Sequence, residues 1–176
     1  QDRLLGNARE YLRAGAPSPI LGRSVAQILR GYSLNDLGGF ATEALLSGDP
    51  ATDTVLLVNG AIAAQEGDAL PPAVPGSAGG ILTSIGQALL SNSGNVYWQG
   101  LVGPGNQNRG SFLRDGALIL QAQASQVGGE LVTGFADVKD NFDVSPSGRF
   151  WIGRVELEIS GDAYVLADFG AAVPLN

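Results

Sequence analysis

Two phrases recur in this chain at nearly constant spacing, and that period restricts the fold more than any single residue does. SLNDLGGFATEAL (33–45) returns as LSNSGNVYWQGL (90–101) and as VSPSGRFWIGRV (144–155), with Gly38, Gly94 and Gly148 spaced 56 and 54 residues apart. VLLVNGAIAAQEGD (55–68) recurs as SFLRDGALILQAQA (111–124), so Gly60 and Gly116 are also 56 apart. Fainter copies, RLLGNAREYLRAG (3–15) and AYVLADFGAAVPL (163–175), lie near the two ends. A fixed period of this length means one supersecondary unit that cannot bury its apolar face alone and must stack on its neighbours.

The unit reads as four strands. In the middle repeat, 81–91 is a first strand A and 95–102 a strand B, with Ser93-Gly94 turning between them. Strand C follows at 111–114, then Asp115-Gly116, then strand D at 117–123. Asp-Gly is a strong hairpin signal because a tight two-residue turn needs positive φ, and Asn59-Gly60 does the same one period earlier. Four sequential antiparallel strands repeated near 54 residues describe an all-β chain of propeller-like blades; a three-repeat β-trefoil is the rival fold. The expected divisions of a single domain over 1–176 are an orphan C–D hairpin (3–15) and repeats over 25–68, 81–124 and 132–175, the last with a short or missing D. The strand order is then CD, ABCD, ABCD, ABC.

A set of strands divided between the two ends can be closed within one chain or between chains. Three blades make a tight ring, whereas closure between chains removes strand edges that would otherwise template uncontrolled pairing. Charge points the same way. Residues 1–30 carry five arginines against two acids, a balance of +3, and residues 130–176 carry eight acids against three bases, a balance of −5. Ends of opposite sign favour head-to-tail contact.

Composition removes most catalytic chemistry. The chain has no Cys, His or Met, so thiol nucleophiles, imidazole bases, disulfides and the common zinc ligand sets are absent. No cofactor is expected. A net charge of −7 disfavours nucleic acid and anionic lipid as partners. No run approaches the ~18 apolar residues of a membrane span. Beginning at Gln1 without methionine is the pattern left by removal of an N-terminal leader, which gives an expectation of secretion; a chain trimmed at its start would look the same.

LNDLGGF (34–40), read with VNGAIAAQEGD (58–68), resembles the tandem repeats of secreted bacterial surface proteins that carry an NxxGxxxxG signature and varied C-terminal anchors. Asn35, Asp36 and Gly38 match the first element; Asn59, Gly60, Glu66, Gly67 and Asp68 match the second. Ser91 and Ser145 replace the leading Asn elsewhere, and Glu43 stands where the second signature glycine falls. The resemblance implies a propeller-like fold and an extracellular or cell-surface setting, and it carries no catalytic residue.

Candidate chemical sites are few. Asp137, Asp140 and Asp143 could offer oxygens to Ca²⁺, but they lack the alternating order of a calcium loop, and residues three apart on a strand point to opposite faces. Glu66 and Asp68 could serve as a glycosidase carboxylate, yet their place at a repeated strand end favours turn chemistry. GPGNQNRG (103–110) has the glycines of a phosphate loop without the Lys-Ser/Thr that follows one. Trp98 and Trp151 are candidates for stacking on sugar. Alignment on the glycines equates Tyr97 with Trp151 and Ala41, and Trp98 with Ile152 and Thr42, so no aromatic pocket recurs and packing between units is favoured.

The function expected is therefore a non-enzymatic extracellular structural protein that assembles head to tail by strand complementation into a fibre or other repetitive assembly. Arg3, Leu4, Leu5, Arg9, Tyr11, Leu12 and Arg13 are expected to meet Tyr164, Val165 and Leu166 of another copy. A carbohydrate-binding, lectin-like module is the alternative.

Overall fold

In the computed structural model, which describes residues 3–6, 9–71, 80–103, 109–135 and 142–170, the chain is all-β and antiparallel apart from a 3-10 turn at Pro50–Thr52. Strand β1 (Arg3–Gly6) pairs with β2 (Arg9–Arg13) as a separate hairpin. The first large sheet runs β3 (Val25–Leu34), β4 (Phe40–Leu46), β5 (Thr54–Val58) and β6 (Ala61–Gln65) in chain order. In the middle sheet, β8 (Gly80–Leu90), β9 (Val96–Gly103), β10 (Arg109–Arg114) and β11 (Ala117–Gln121) follow the same order, and the short β7 (Ala69–Leu70) lies on the edge of β8. The third sheet centres on β15 (Phe150–Leu157). One edge of β15 takes both β13 (Glu130–Gly134) and β14 (Phe142–Val144), β12 (Gln126–Val127) extends β13, and β16 (Gly161–Asp168) fills the other edge.

Local chemistry explains the hairpins. Asn59-Gly60 has φ of 52° and 85°, and Asp115-Gly116 has 49° and 81°, the doubly positive turn whose twist suits flanking strands. The side chains do more than tolerate this shape. Asn59 Oδ1 accepts the Phe40 N–H, and Asp115 Oδ1 accepts the Val96 N–H, so each turn also ties down the start of its neighbouring strand. Three hairpins share one ladder. β1–β2, β5–β6 and β10–β11 each make four Cα pairs, with a slip between the second and third.

The sheets stack face to face in chain order. Ala41, Leu56 and Ala64 of the first sheet pack on Leu82, Ala88, Trp98 and Leu113 of the middle sheet. On the other face of the middle sheet, Tyr97, Phe112 and Leu120 meet Val132, Phe142, Trp151 and Val155 of the third. Phe112 sits edge-on to Phe135, Phe142 and Trp151 at ring separations of 4.6, 5.3 and 4.8 Å. A third cluster, Val25, Ala44, Leu46, Val55 and Leu57, is covered in part by Leu12 of the hairpin. Sheets buried on both faces need apolar runs without alternation, which is why Val55-Leu56-Leu57-Val58 reads as it does. Among the described residues no strand of the first sheet pairs with one of the middle sheet, although a closed trefoil barrel needs pairing between units.

The corners joining A to B also stack. Asn35 Nδ2 donates to the Ser91 carbonyl at 2.9 Å, Asn92 Nδ2 donates to Asp36 Oδ2 at 2.8 Å, and the Asn92 N–H donates to the Pro146 carbonyl at 2.7 Å. Gly38, Gly94 and Gly148 take φ of 80°, 87° and 70° in these corners.

The third corner differs from the other two, and this corrects the residue alignment. Leu34 pairs with Phe40 and Leu90 with Val96, but Val144 pairs with Trp151, one residue later. The extra residue shifts strand B by one, so Trp151 takes the place of Val96 and Ile152 that of Tyr97. Trp98 and Trp151 thus point to the same side, each toward the preceding sheet. Each ring also lies over the glycine two residues on: a Cβ at Gly100 or Gly153 would overlap it. Strand A of the third repeat, the first strand of the 132–175 unit, is broken into β13 and β14.

Candidate functional site

The outward face of the third sheet is the surface that the stacking pattern leaves unfinished. β15 and β16 pair Ile152 with Leu166 and Arg154 with Tyr164. The places held by Ile152 and Tyr164 are held by Tyr97 and Phe112 in the middle sheet, and by Ala41 and Leu56 in the first. Those four residues are at most 1% exposed, each covered by the next sheet. Ile152 is 42% exposed, Tyr164 73% and Leu166 66%. Such adjoining apolar side chains on one sheet face are a patch, not scattered exposure.

The edge of that sheet is open as well. β5 and β10 each carry a further strand, whereas β16 pairs only with β15 among the described residues. The Phe169 N–H donates to the Arg149 carbonyl, which sets the alternation: Asp162, Tyr164, Leu166 and Asp168 turn their backbone groups toward the open edge. Two ion pairs frame the stripe, Arg154 with Asp162 and Arg149 with Asp168. The Arg149 hydrogen bond and the Gly170 N–H hold the Asp168 carboxyl down at about 2.

On the other side of the stack, the hairpin has the C–D ladder with no A or B strand paired to it among the described residues. Leu4 is buried, Leu12 packs on the first sheet, and Tyr11 tilts against Phe40 at 5.4 Å. Arg3 and Arg13 both pair with Glu10. The hairpin leaves Tyr32 and Leu34 of β3 uncovered, at 62% and 49% exposure. The corresponding Ala88 and Leu90 in β8 are buried, as is Phe142, which takes the place of Tyr32 in β14.

Of the expected interface residues, Tyr164 and Leu166 face outward, whereas Val165 points inward against the middle sheet. Leu4, Tyr11 and Leu12 are engaged with their own chain. The side chains of Leu5 and Arg9 lie outside the described residues. Ile152, Tyr32 and Leu34 were not anticipated. The signal for Ile152 was the twice-used Trp-x-Gly of 98–100 and 151–153: its spacing of 53 differs in parity from the 54 between the corner glycines and so puts both rings on one side, although the ladder offsets them by two residues.

Other candidates resolve differently. Trp98 and Trp151 are each 1% exposed, so neither ring offers a face to a sugar; both fill the spaces between sheets. Asp68 accepts the Gln65 N–H in the turn after β6, which is the role its repeated position suggested. Asp137 and Asp140 lie outside the described residues, Asp143 caps the Val144 N–H, and no group of three metal-ligating side chains occurs among the described residues. Residues 104–108 of the glycine-rich loop also lie outside them. The ends of the three A strands, 33–36, 89–92 and 143–146, enclose a polar hollow of about 190 Å³. No described helix is long and apolar enough to cross a membrane.

No protein-family model matches the chain, and neither curated proteins nor solved structures gave a match.

Proposed function

We propose that this chain is a non-enzymatic structural module whose copies join head to tail by β-strand complementation, with the three sheets acting as consecutive blades of an open propeller-like arc. The observation that carries this reading is that, among the described residues, the β1–β2 hairpin has the C–D ladder with no A and B strands paired to it, and the β16 edge of the third sheet is unpaired. Joining them brings the β16 edge alongside the hairpin of the next copy. That adds the two strands of the hairpin to the five of the third sheet, in which β13 and β14 share one edge of β15. An open strand edge is a liability unless something covers it, and a second copy supplies matching backbone groups at no cost in specificity. The balances of +3 and −5 at the two ends support contact between unlike ends. The likeness of the turn phrases to those of bacterial surface repeats supports an extracellular setting for a fibre or other repetitive assembly.

Size-exclusion chromatography with light scattering, followed by negative-stain imaging, tests the reading. The expected mass is a concentration-dependent multiple of 18.0 kDa, seen as rings or filaments. A monodisperse 18.0-kDa species at all concentrations overturns it.

A further inference from the structure

We infer that the apolar stripe of the third sheet, Ile152, Tyr164 and Leu166, is the seat for strand β3 of a second copy, received through Tyr32 and Leu34. The inference rests on the self-assembly reading and adds which faces meet. Its basis is continuity with two interfaces inside the chain. In both, the side chains on the B and C strands of one sheet that face onward are covered by strand A of the next sheet: β8 lies over Ala41 and Leu56, and β14 lies over Phe112. The stripe presents the same places a third time, and no described residue covers it. β3 is the complementary surface. It is the strand A of the first sheet, and its Tyr32 and Leu34 stand where buried residues stand in β8.

The occupant is a copy's head and not another tail. Two third sheets face to face would oppose a −5 segment to itself, and the contact would match B–C places with B–C places, which neither interior interface does. Unlike surfaces meeting in this way make a heterologous contact, which propagates unless the rotation closes it. The hairpin does not obstruct the seat: it packs on Phe40 and on the cluster around Val25, Val55 and Leu57, and leaves Tyr32 and Leu34 open.

The test uses two full-length variants, each blocked at one end. Leu166→Arg blocks the tail and Tyr32→Glu blocks the head; both replace exposed side chains, so unchanged circular dichroism and melting temperature serve as the folding control. Each variant alone is expected to associate at least tenfold more weakly than the intact chain and to run at 18.0 kDa. An equimolar mixture is expected to give a discrete species of twice that mass, because one native tail and one native head remain. If the intact chain assembles but the Tyr32→Glu variant alone assembles equally well, or the mixture stays at 18.0 kDa, these faces are not the contact. Failure of the intact chain to assemble overturns the self-assembly reading instead.

Discussion

Glu43 carries the one carboxyl among the described residues that is pushed up to about 7. Burial against the middle sheet is the larger cause, and the charge of Glu66 adds to it. The same place holds the neutral Gln99 one sheet on and Arg154 on the outward face. Because its folded value lies above the ordinary 4.5, Glu43 favours the folded state fully below pH 4.5, and that contribution is lost as pH rises through about 7. Allowing for solvent screening, the change amounts to about 1–2 kcal/mol. Urea denaturation at pH 4.5 and pH 8 should therefore show Glu43→Gln gaining on the wild type at the higher pH. Equal differences at both values would mean that folding leaves the carboxyl's ordinary titration unchanged.

At the scale of elements, the hairpins and strands were legible because their chemistry is local. Asp115-Gly116 and Asn59-Gly60 specify a turn type on their own, and the strands expected over 111–114 and 117–123 lie at Arg109–Arg114 and Ala117–Gln121. The side-chain caps add to that signal. Asp115 accepts both the Val96 N–H and the Asn95 amide, so Asp115→Ala should cost about 1–2 kcal/mol by loss of those bonds, with Asp115→Asn retaining more of the stability. A thermal-melting comparison of the two variants checks this; equal losses would show that the turn backbone alone sets the stability. What could not be read was register. The third corner keeps its glycine yet is one residue longer, and in a strand one residue exchanges the two faces. Aligning on Gly148 therefore gave Trp151 and Ile152 the wrong sides. The break in strand A between β13 and β14 was equally hidden, since an insertion at a bulge leaves the apolar pattern on either side intact. Both interior strand pairs already slip at the matching position, between Ile28 and Tyr32 and between Ile85 and Ala88.

At the scale of the whole molecule, the three sheets form a stack with a direction. The middle sheet turns one face to the first sheet and the other to the third, and among the described residues the third sheet presents an apolar face and an open edge. Interior packing alone explains the stability of the middle sheet; it does not explain why the outward places of the third sheet keep Ile152, Tyr164 and Leu166. The proposed head-to-tail joining would account for both the open edge and the stripe, and the rotation per copy would then decide between a closed ring and a fibre. The absence of native cysteine permits a direct test. Chains carrying Arg13→Cys on the hairpin and chains carrying Asp162→Cys on β16 are treated with a short bis-maleimide, separately and mixed. Denaturing electrophoresis should show a cross-linked product of twice 18.0 kDa in the mixture and none in either chain alone. No product in the mixture, or a product from Asp162→Cys chains by themselves, would contradict head-to-tail joining.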